Sequence, residues 1–523
     1  MRFARLTLQW ICAHPDLTRL AVIAGVALVL LAPWLLNGDL AIISPTDLGT
    51  DFVTKQWPNA VYIVRGWQQW GEVPLWRTTA LGGVPIAGNP SMLLAYPSYW
   101  LIFLFPIGWA FTVHFALHLI WGGWGTYGLA RRVLRLSPGA ALLAALTFAL
   151  SAKMVAHLGG GHIDIVAAVA WLPWLWWAVD GLARRPGWLP VAGAAVAMAA
   201  QALTHLPTLW LSALVTGCWW LYVRLANRTP GALHRWLWSG FAGLGALALA
   251  MGLSAVQMWP LLELLPFSTR GAMTLSESSQ YALPVPLLPG LVLPTALAFP
   301  EWVIYVGVVT LTLSPASWLT RDSTRGWRFF VTLVILGTVF SLGDATPLYS
   351  LLFRVLPGMN WLRVPSRMMF PVQLAWALLA GMGWDAVRRA KLRRTPALVG
   401  WWMALVLVTI IGAVWSHCFP GALAVSASSV AVALVTLAVL LGQFKVRVIR
   451  LYAPVALAVL VVLEVAVLAP GFIARGRVSA LTIPTPTVNF LAAQSGHFRV
   501  YSPRGLISLA QAVAYGLETA DGN

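Results

Sequence analysis

Long apolar runs alternate with short polar segments along nearly the whole chain. A helix of about 20 apolar residues is long enough to cross the hydrocarbon core of a bilayer. The pattern therefore predicts an all-α polytopic membrane protein with about 13 membrane-spanning helices. The predicted spans are residues 18–37, 108–131, 138–157, 165–183, 188–205, 207–224, 237–258, 302–319, 329–343, 367–387, 398–416, 421–441 and 451–470.

The polar segments between these spans alternate between basic and non-basic, which predicts the orientation of the chain. Cytoplasmic loops of membrane proteins carry an excess of Lys and Arg. The N-terminus is therefore expected in the cytoplasm, and the loop after the first span and the C-terminus on the extracytoplasmic side. The basic segments contain Arg2 and Arg5; Arg131, Arg132 and Arg135; Arg184 and Arg185; Arg224, Arg228 and Arg235; Arg321, Arg325 and Arg328; Arg388, Arg389, Lys391, Arg393 and Arg394; and Lys445, Arg447 and Arg450.

Composition agrees with a membrane protein and argues against nucleic-acid binding. Hydrophobic residues make up 59% of the chain and charged residues 10%, whereas soluble domains carry roughly 25% charged residues. The mean hydropathy is +0.78. The net charge of +18 comes from short clusters between apolar runs and forms no continuous basic face, so no nucleic-acid partner is predicted.

The first extracytoplasmic segment, about residues 38–107, is the longest one near the N-terminus. It holds an amphipathic stretch, Phe52–Trp70, and an apolar stretch, Met92–Phe105, that is too short to span and is expected at the interface. After the last span, residues 471–523 resemble the start of an extracytoplasmic domain, with a short strand at 498–501. We therefore divide the chain into a membrane domain, 1–470, and a C-terminal domain that is truncated at residue 523.

Two carboxylates in the first outer segment, Asp47 and Asp51, are four residues apart. If that stretch is helical, they share one face. One of them could act as a general base, or the pair could hold a divalent cation, Mg²⁺ or Mn²⁺. The alternative is a solvated loop whose charges have no special role.

Two arginines, Arg363 and Arg367, lie at the predicted outer end of the tenth span. Positive charge on this side runs against the usual distribution, so it requires a reason. Binding of a phosphate is one reason, because a guanidinium matches phosphate oxygens in a bidentate geometry. A salt bridge to an acidic outer segment, or contact with anionic headgroups, is the alternative.

Further ionisable residues occur at the outer ends of predicted spans. His162 and Asp164 follow a run of three glycines and lie near Lys153, and a His–Asp couple can orient a hydroxyl or a proton. Asp164 is equally well placed to act as the N-cap of the fourth span. His205 fits a packing or capping role. No Walker or other Gly-rich nucleotide loop is present, which argues against an ATP-driven pump.

The order of several short motifs resembles that of the bacterial YfhO-like membrane proteins, a group of GT-C integral membrane glycosyltransferases. The resemblance covers about residues 38–390. The motifs, as they stand here, are Asp51 followed by QWP at 56–58, GEVPLW at 71–76, GGVP at 82–85, NP at 89–90, YP at 96–97, WLP at 171–173, THLP at 204–207, QYALP at 280–284, YVG at 305–307 and LRVPSRM at 362–368.

The resemblance implies a GT-C-like bundle that moves a sugar from a polyprenyl-phosphate donor to an extracytoplasmic acceptor, which is a glycolipid, a cell-wall polymer or a protein. Asp51 then matches the family's catalytic acid, with Asp47 as its alternative. Arg363 and Arg367, together with Lys153, would bind the lipid phosphate. The residues expected to contact the substrates are Lys55, Gln56, His162, Asp164, His205, Glu301 and Tyr305.

Two other functions fit the same pattern. A transporter or flippase of lipid-linked sugars usually has paired, broken spans in two related halves, and the sequence shows no such symmetry. A non-catalytic assembly protein with the same helical body is the second alternative. All three functions place the protein in the bacterial cytoplasmic membrane, with lipid as a partner.

Overall fold

The computed structural model of the protein describes residues 14–45, 50–226, 232–268, 273–294, 299–321, 325–389, 396–416, 423–502 and 505–521. Helices make up most of this part of the chain. In chain order they are α1 (Pro15–Leu35), α2 (Trp57–Trp70), α3 (Ile107–Gly128), α4 (Pro138–Ala149), α5 (Ala152–Gly159), α6 (Ile163–Arg184), α7 (Trp188–Ala202), α8 (Leu206–Ala226), α9 (Ala232–Leu264), α10 (Leu275–Ser278), α11 (Val308–Leu313), α12 (Trp327–Ser341), α13 (Pro347–Val355), α14 (Met369–Arg389), α15 (Pro396–Ser416), α16 (Leu423–Lys445), α17 (Arg447–Leu468), α18 (Pro486–Ala492) and α19 (Leu509–Tyr515).

The remaining regular elements are short. The strands are β1 (Leu40–Ile43), β2 (Trp76–Arg77), β3 (Val84–Pro85), β4 (Ala474–Arg477), β5 (Arg499–Val500) and β6 (Glu518–Thr519). Single π-helical turns cover Phe52–Gln56 and Leu129–Val133. The 3₁₀ turns are Pro90–Met92, Pro97–Phe103, Leu265–Phe267, Val285–Leu291, Pro300–Trp302, Ser314–Thr320, Gly343–Ala345, Met359–Trp361, Pro365–Met368, Ala469–Gly471 and Val478–Thr482.

The predicted class, an all-α polytopic membrane protein, is confirmed. Eight helical segments within the described residues are long and apolar enough to cross a membrane. Helices also cover the shorter predicted spans 188–205 and 329–343, as α7 and α12. The predicted amphipathic stretch forms α2, which continues the π turn at Phe52–Gln56.

The predicted span at 302–319 differs from the structure. Only Val308–Leu313 is α-helical there, and a 3₁₀ turn follows at Ser314–Thr320. Gly307 has a φ of +92°, outside the helical region, so the helix begins after it. Pro315 lies in the 3₁₀ turn and has no N–H for a helical hydrogen bond. The apolar run is therefore long enough to span, but its backbone is divided.

Helix α14 is almost entirely buried: all of its residues from Met369 to Val387 except Trp376 are buried. It packs against α4, α12 and the turn at Ser314–Thr320, while α3 packs against α1, α4 and α6. Close packing of α14 depends on glycine. A Cβ at Gly383 would lie 1.9 Å from the carbonyl oxygen of Leu313, which no side chain could occupy.

The C-terminal segment packs on the first outer segment. Strands β1 and β4 pair antiparallel, with Leu40 opposite Arg477. The Arg65 side chain donates hydrogen bonds to the carbonyl oxygens of Val513 and Ala514, at the end of α19. The described residues of the C-terminal segment therefore pack against those of the first outer segment.

Candidate functional site

A tight glycine turn between α5 and α6 positions the start of the first outer helix. The backbone N–H of Asp51 donates to the carbonyl oxygen of Gly160 at 3.1 Å. Gly161 has a φ of +73°, and a Cβ there would lie 2.3 Å from the backbone nitrogen of Phe52. Any side chain at Gly161 would therefore push the Asp51–Phe52 backbone away.

Four side chains around this turn form what we call the acidic half of the site: Asp51, Lys55, His162 and Asp164. Lys55 Nζ lies 3.7 Å from Asp51 and 4.0 Å from Asp164. His162 Nε2 lies 3.9 Å from the same oxygen of Asp51. Two carboxylates thus share one ammonium group, which leaves this half with an excess of negative charge.

The Asp51 side chain is 39% exposed. Its contacts with Lys55 and His162 are longer than hydrogen bonds. Within the described residues, no side chain or backbone N–H is hydrogen-bonded to its carboxylate. A carboxylate that is exposed, ionisable and without a donor can accept the proton of an incoming hydroxyl group.

The sequence suggested Asp164 as the N-cap of the fourth predicted span, but the structure places another residue there. Helix α6 begins at Ile163, its N-cap position is His162, and Asp164 lies in the first turn. Its carboxylate is buried and accepts a hydrogen bond from the N–H of Ile165 at 2.9 Å. Negative charge in the first turn is stabilised by the helix dipole, and Lys55 supplies the counter-charge.

A second group, which we call the cationic half, surrounds the buried carboxylate of Glu301. Arg367 Nε donates to Oε1 at 2.8 Å, and Arg367 Nη2 lies 2.6 Å from the same oxygen. On the other oxygen, His157 Nε2 lies at 3.3 Å and Lys153 Nζ at 3.9 Å. The two basic side chains, Arg367 and Lys153, around one carboxylate leave this half with an excess of positive charge.

The environment of Glu301 keeps this carboxylate ionised. Burial by itself would raise its pKa, but the attraction of Arg367, His157 and Lys153 outweighs burial and holds the pKa well below its usual range. Glu301 therefore remains an anion at neutral pH and fixes the direction of the Arg367 guanidinium.

Arg367 also contacts His205, since its Nη1 donates to Nε2 of that ring at 3.0 Å. The other ring nitrogen, Nδ1, lies 2.8 Å from the Thr208 hydroxyl. Burial and the neighbouring Arg367 lower the pKa of His205 to about 3, so the ring is neutral and can accept the arginine hydrogen bond. The sequence assigned His205 a capping role or a substrate contact, and the structure shows that it also orients Arg367.

Arg367 keeps part of its donor capacity free. A guanidinium carries five N–H bonds. The contacts to Glu301 and His205 use three of them, and within the described residues the other two have no partner. The side chain is 15% exposed, so these N–H groups can bind an anion that enters the site.

The two halves meet at a pair of histidine rings. The centroids of His157 and His162 lie 4.9 Å apart. A continuous path of contacts therefore runs from Asp51 through His162 and His157 to Glu301 and Arg367. The site residues were predicted from four separate parts of the sequence: the first outer segment, the α5–α6 turn, Glu301 and the LRVPSRM string. In the structure they belong to one cluster.

Lys153 lies deeper than a phosphate ligand would. Its side chain is fully buried, and Nζ donates to the carbonyl oxygen of Glu301 at 2.7 Å. In this position Nζ is held by the backbone and the carboxylate of Glu301, and the predicted role of Lys153 in phosphate binding stays a prediction. His157, one helical turn after Lys153, was not among the predicted site residues. The spacing of four residues on an apolar helix is the signal that could have included it.

Arg363 lies apart from the cluster. Its guanidinium lies over the ring of Tyr281, 5.4 Å from the centroid. Between the two arginines, Val364 adopts a left-handed conformation with a φ of +68°, which reverses the local direction of the chain. In the part of the chain that the structure describes, no contact joins Arg363 to Glu301 or His205, so its predicted role in phosphate binding stays a prediction.

Two other predicted substrate residues are buried in separate surroundings. The Tyr305 hydroxyl donates to Glu464, a buried residue of α17, and Glu464 also accepts a hydrogen bond from the N–H of Val308 at 2.8 Å. This pair ties the chain just before α11 to α17. Gln56 is fully buried, one turn beyond Phe52 on the first outer helix.

The predicted divalent-cation site has little support among the described residues. No group of three or more His, Cys, Asp or Glu side chains there could hold a metal ion. Beside Asp51 the charge is compensated by Lys55 instead. Asp47, the other predicted ligand, lies outside the described residues. The predicted cation site at Asp47 and Asp51 therefore stays a prediction.

The chain resembles solved membrane-protein structures in fold. ArnT from Cupriavidus metallidurans, in its apo state, superposes with a TM-score of 0.52 at 15% identity over 95% of this chain and 84% of ArnT. The ArnT structure bound to undecaprenyl phosphate gives a TM-score of 0.50 at 14% identity, covering 95% of this chain and 85% of ArnT. The arabinofuranosyltransferase AftD from Mycobacteria matches at 17% identity with a TM-score of 0.45, and the chain spans 27% of its length.

The likeness to ArnT shows a GT-C-like fold. No protein-family model matches the chain, and no curated protein matches it. The finer resemblance to the YfhO-like proteins stays a prediction.

Proposed function

We propose that this protein is a membrane glycosyltransferase that moves a sugar from a polyprenyl-phosphate donor to a hydroxyl group of an extracytoplasmic acceptor. The observation that carries the proposal is the division of one cluster into an acidic half at Asp51 and a cationic half at Arg367. Glycosyl transfer from a phosphate requires both functions, because a proton leaves the acceptor while negative charge develops on the leaving group.

Arg367 is the residue proposed to bind the leaving phosphate. As the bond between the sugar and the phosphate breaks, its electron pair remains on the phosphate oxygen. The free N–H groups of Arg367 then meet the developing charge, in a position already fixed by Glu301 and His205. Such preorganised donors need no rearrangement during the reaction, which is why they lower the barrier.

Asp51 is the proposed general base. Its exposed carboxylate accepts the proton of the acceptor hydroxyl while the oxygen of that hydroxyl forms the new bond to the sugar. Lys55 and His162, at 3.7 and 3.9 Å, hold the carboxylate in place. Asp47 remains the alternative base suggested by the family resemblance.

The remaining charged residues are proposed to position these two. Glu301 aims Arg367, Lys153 and His157 hold Glu301, and Asp164 shares Lys55 with Asp51. This assignment explains why so many ionisable groups are buried at one end of an apolar bundle. Unpaired, each would be strongly unfavourable there.

The donor lipid fits the setting of the site. A polyprenyl chain lies within the bilayer, so it can reach the cluster between helices without a nucleotide-binding loop. ArnT, which shares the fold, has been crystallised with undecaprenyl phosphate, and this supports a polyprenyl phosphate as the donor carrier here. The proposed acceptors are a glycolipid, a cell-wall polymer or a protein.

We further propose that the protein resides in the bacterial cytoplasmic membrane with its N-terminus in the cytoplasm. The alternation of basic loops supports this orientation. The pairing of β1 with β4 also supports it, because it puts residues 40–43 and 474–477 on the same side. Residues 471–523 are proposed to begin an extracytoplasmic domain that packs against the first outer segment.

The direct test of the proposed reaction is mass spectrometry of lipids and glycans from bacterial cells with and without this protein. We expect one class of envelope molecule to gain a sugar only when the protein is present, together with release of the free polyprenyl phosphate. Identical lipid and glycan profiles in the two strains would contradict the proposal.

A further inference from the structure

A second polar cluster lies buried inside the first outer segment, beyond the acidic half of the site. Its members are Gln56 and Asn59 on one face of the first outer helix, Arg77 on β2, and Thr79. All four side chains are at least nine-tenths buried. The Arg77 guanidinium donates to the Asn59 carbonyl oxygen, which holds the two elements together.

This cluster has many hydrogen-bonding groups without partners. They are the amide nitrogen and oxygen of Gln56, the amide nitrogen of Asn59, Nε of Arg77 and the hydroxyl of Thr79. Buried polar groups are nearly always hydrogen-bonded in folded proteins. Several such atoms on neighbouring elements indicate a group that binds there and that none of the described residues supplies.

The charge of Arg77 indicates which kind of ligand could bind at this cluster. Arg77 forms no ion pair with a carboxylate of the described residues, and an arginine in a protein stays charged. A buried cation without a counter-ion is strongly unfavourable. Water can satisfy the neutral amides but does not compensate the charge, so among ligands an anion fits this cluster best.

The composition of the cluster favours a carboxylate over a phosphate. One guanidinium neutralises one carboxylate and can bind both of its oxygens. A phosphate monoester carries about 1.5 to 2 negative charges at neutral pH, and a single arginine would leave part of that charge buried. The surrounding amides and hydroxyl pair well with sugar hydroxyl groups, which are donors and acceptors at once.

Gln56 and Asn59 of the cluster lie on the same outer helix as Asp51, the residue proposed to accept the proton of the acceptor hydroxyl. Asn59 follows Asp51 by eight residues, so at 1.5 Å per residue the two lie about 12 Å apart along the helix. A ligand that reaches both positions is longer than one sugar ring. Thr519 borders the cluster, since its hydroxyl donates to the carbonyl oxygen of Thr79 at 2.9 Å.

We propose that Gln56, Asn59, Arg77 and Thr79 form a binding site for a carboxylate-bearing sugar, such as a uronic acid unit of an acceptor glycan. The site lies outside the Asp51–Arg367 cluster and binds without any transfer step. Its failure and the failure of the proposed reaction can therefore be told apart.

The test is thermal unfolding of the purified full chain in detergent, with D-glucuronate, D-glucose or inorganic phosphate added. At a concentration 100 times its Kd, glucuronate is expected to raise the unfolding temperature by about 3 °C, while glucose and phosphate have much smaller effects. No shift with glucuronate would overturn the proposal. An equal or larger shift with phosphate would overturn the choice of a carboxylate.

Variants of Arg77 test whether the shift in unfolding temperature arises at this cluster. Arg77→Met removes an unpaired buried charge at similar volume, so it should raise the unfolding temperature without ligand and abolish the glucuronate shift. Arg65→Met is the matched control: Arg65 lies on α2 with Asn59 and has backbone partners, so its replacement should lower stability and keep the shift. If Arg77→Met does not fold, Arg77→Lys should weaken glucuronate binding about tenfold, because an ammonium lacks the planar fork. A glucuronate shift that persists at full size in the Arg77 variant would contradict the site.

Discussion

Arg367 contacts a single carboxylate oxygen of Glu301 with two of its nitrogens, Nε at 2.8 Å and Nη2 at 2.6 Å. This arrangement occupies one edge of the guanidinium, while His205 receives a hydrogen bond from Nη1. The remaining N–H groups are thereby fixed in direction before any ligand arrives. Preorganisation of this kind is what an anion-binding arginine in a catalytic site requires.

Removal of this arginine should weaken binding of the donor carrier. Arg367→Ala is expected to weaken polyprenyl phosphate binding by about 100-fold, and Arg367→Lys by about tenfold, because lysine keeps the charge but not the fork. Binding is measured by native mass spectrometry of the purified protein. The control is Arg354→Ala, which removes an exposed arginine 13 residues before Arg367. This variant should bind as tightly as the wild type.

The same experiment separates the two arginines of the LRVPSRM string. Arg363→Ala is expected to weaken binding less than Arg367→Ala does, since Arg363 lies over Tyr281 and away from Glu301. An equal loss for both variants would mean that the two side chains converge on one phosphate in the bound state.

Neutralising Glu301 should destabilise the fold as well as the site. Glu301→Gln leaves Lys153 and Arg367 without their shared counter-ion, and loss of one partner of a buried ion pair costs about 3–5 kcal/mol. Chemical unfolding of the purified protein measures the effect. Glu263→Gln, which removes an exposed carboxylate, should leave the unfolding free energy within about 0.5 kcal/mol of the wild type, and an equal loss in both variants would argue against a special role for Glu301.

The pH dependence of stability should carry the signature of His205. Its pKa is lowered to about 3, so the unfolded chain binds a proton at a higher pH than the folded chain does. Stability should therefore fall as the pH drops below about 6.5, the ordinary pKa of histidine, and continue to fall towards pH 3. His205→Gln should flatten this part of the curve. An unchanged slope between pH 6.5 and 4 in that variant would contradict a neutral His205.

The glycine turn should matter for activity more than for insertion. Gly161→Ala places a Cβ 2.3 Å from the Phe52 nitrogen and so displaces Asp51. A shift of about 1 Å in a catalytic group can reduce the rate about 100-fold. Gly217→Ala is the control, because a Cβ added at Gly217 would meet no atom within 4 Å. Sugar transfer and membrane insertion are measured for both variants. We expect both to insert and only Gly161→Ala to lose activity. Equal activity of the two variants would count against the role of the turn.

Hydropathy predicted most of the helical framework because burial in a bilayer demands long apolar runs, whatever else the chain does. It did not predict the break at Ser314–Thr320 or the division of the third span into α4 and α5. These depend on local features, namely Pro315, which has no N–H for a helical hydrogen bond, and the Ser151 side chain that caps α5. Such breaks do not change mean hydropathy.

The members of the site were individually visible as charges in unexpected places, but their pairing was not. Glu301 and Arg367 are 66 residues apart in sequence, and only the fold decides that they meet. The structure also separates Arg363 from Arg367, although the two are close in sequence and of the same type. The left-handed conformation of Val364 is responsible, and no pattern of residue types reveals it.

The most direct test of the central claim is the amount of sugar-modified product in cells that express Asp51→Asn in place of the wild-type protein. Asparagine keeps the size of the side chain but cannot take a proton, so we predict that the product falls at least about 100-fold while the protein inserts normally. Asp344→Asn, which alters an exposed outer carboxylate, should give the wild-type amount. Full product formation by the Asp51→Asn variant would contradict the assignment of Asp51 as the base and, with it, the division of the site into an acidic and a cationic half.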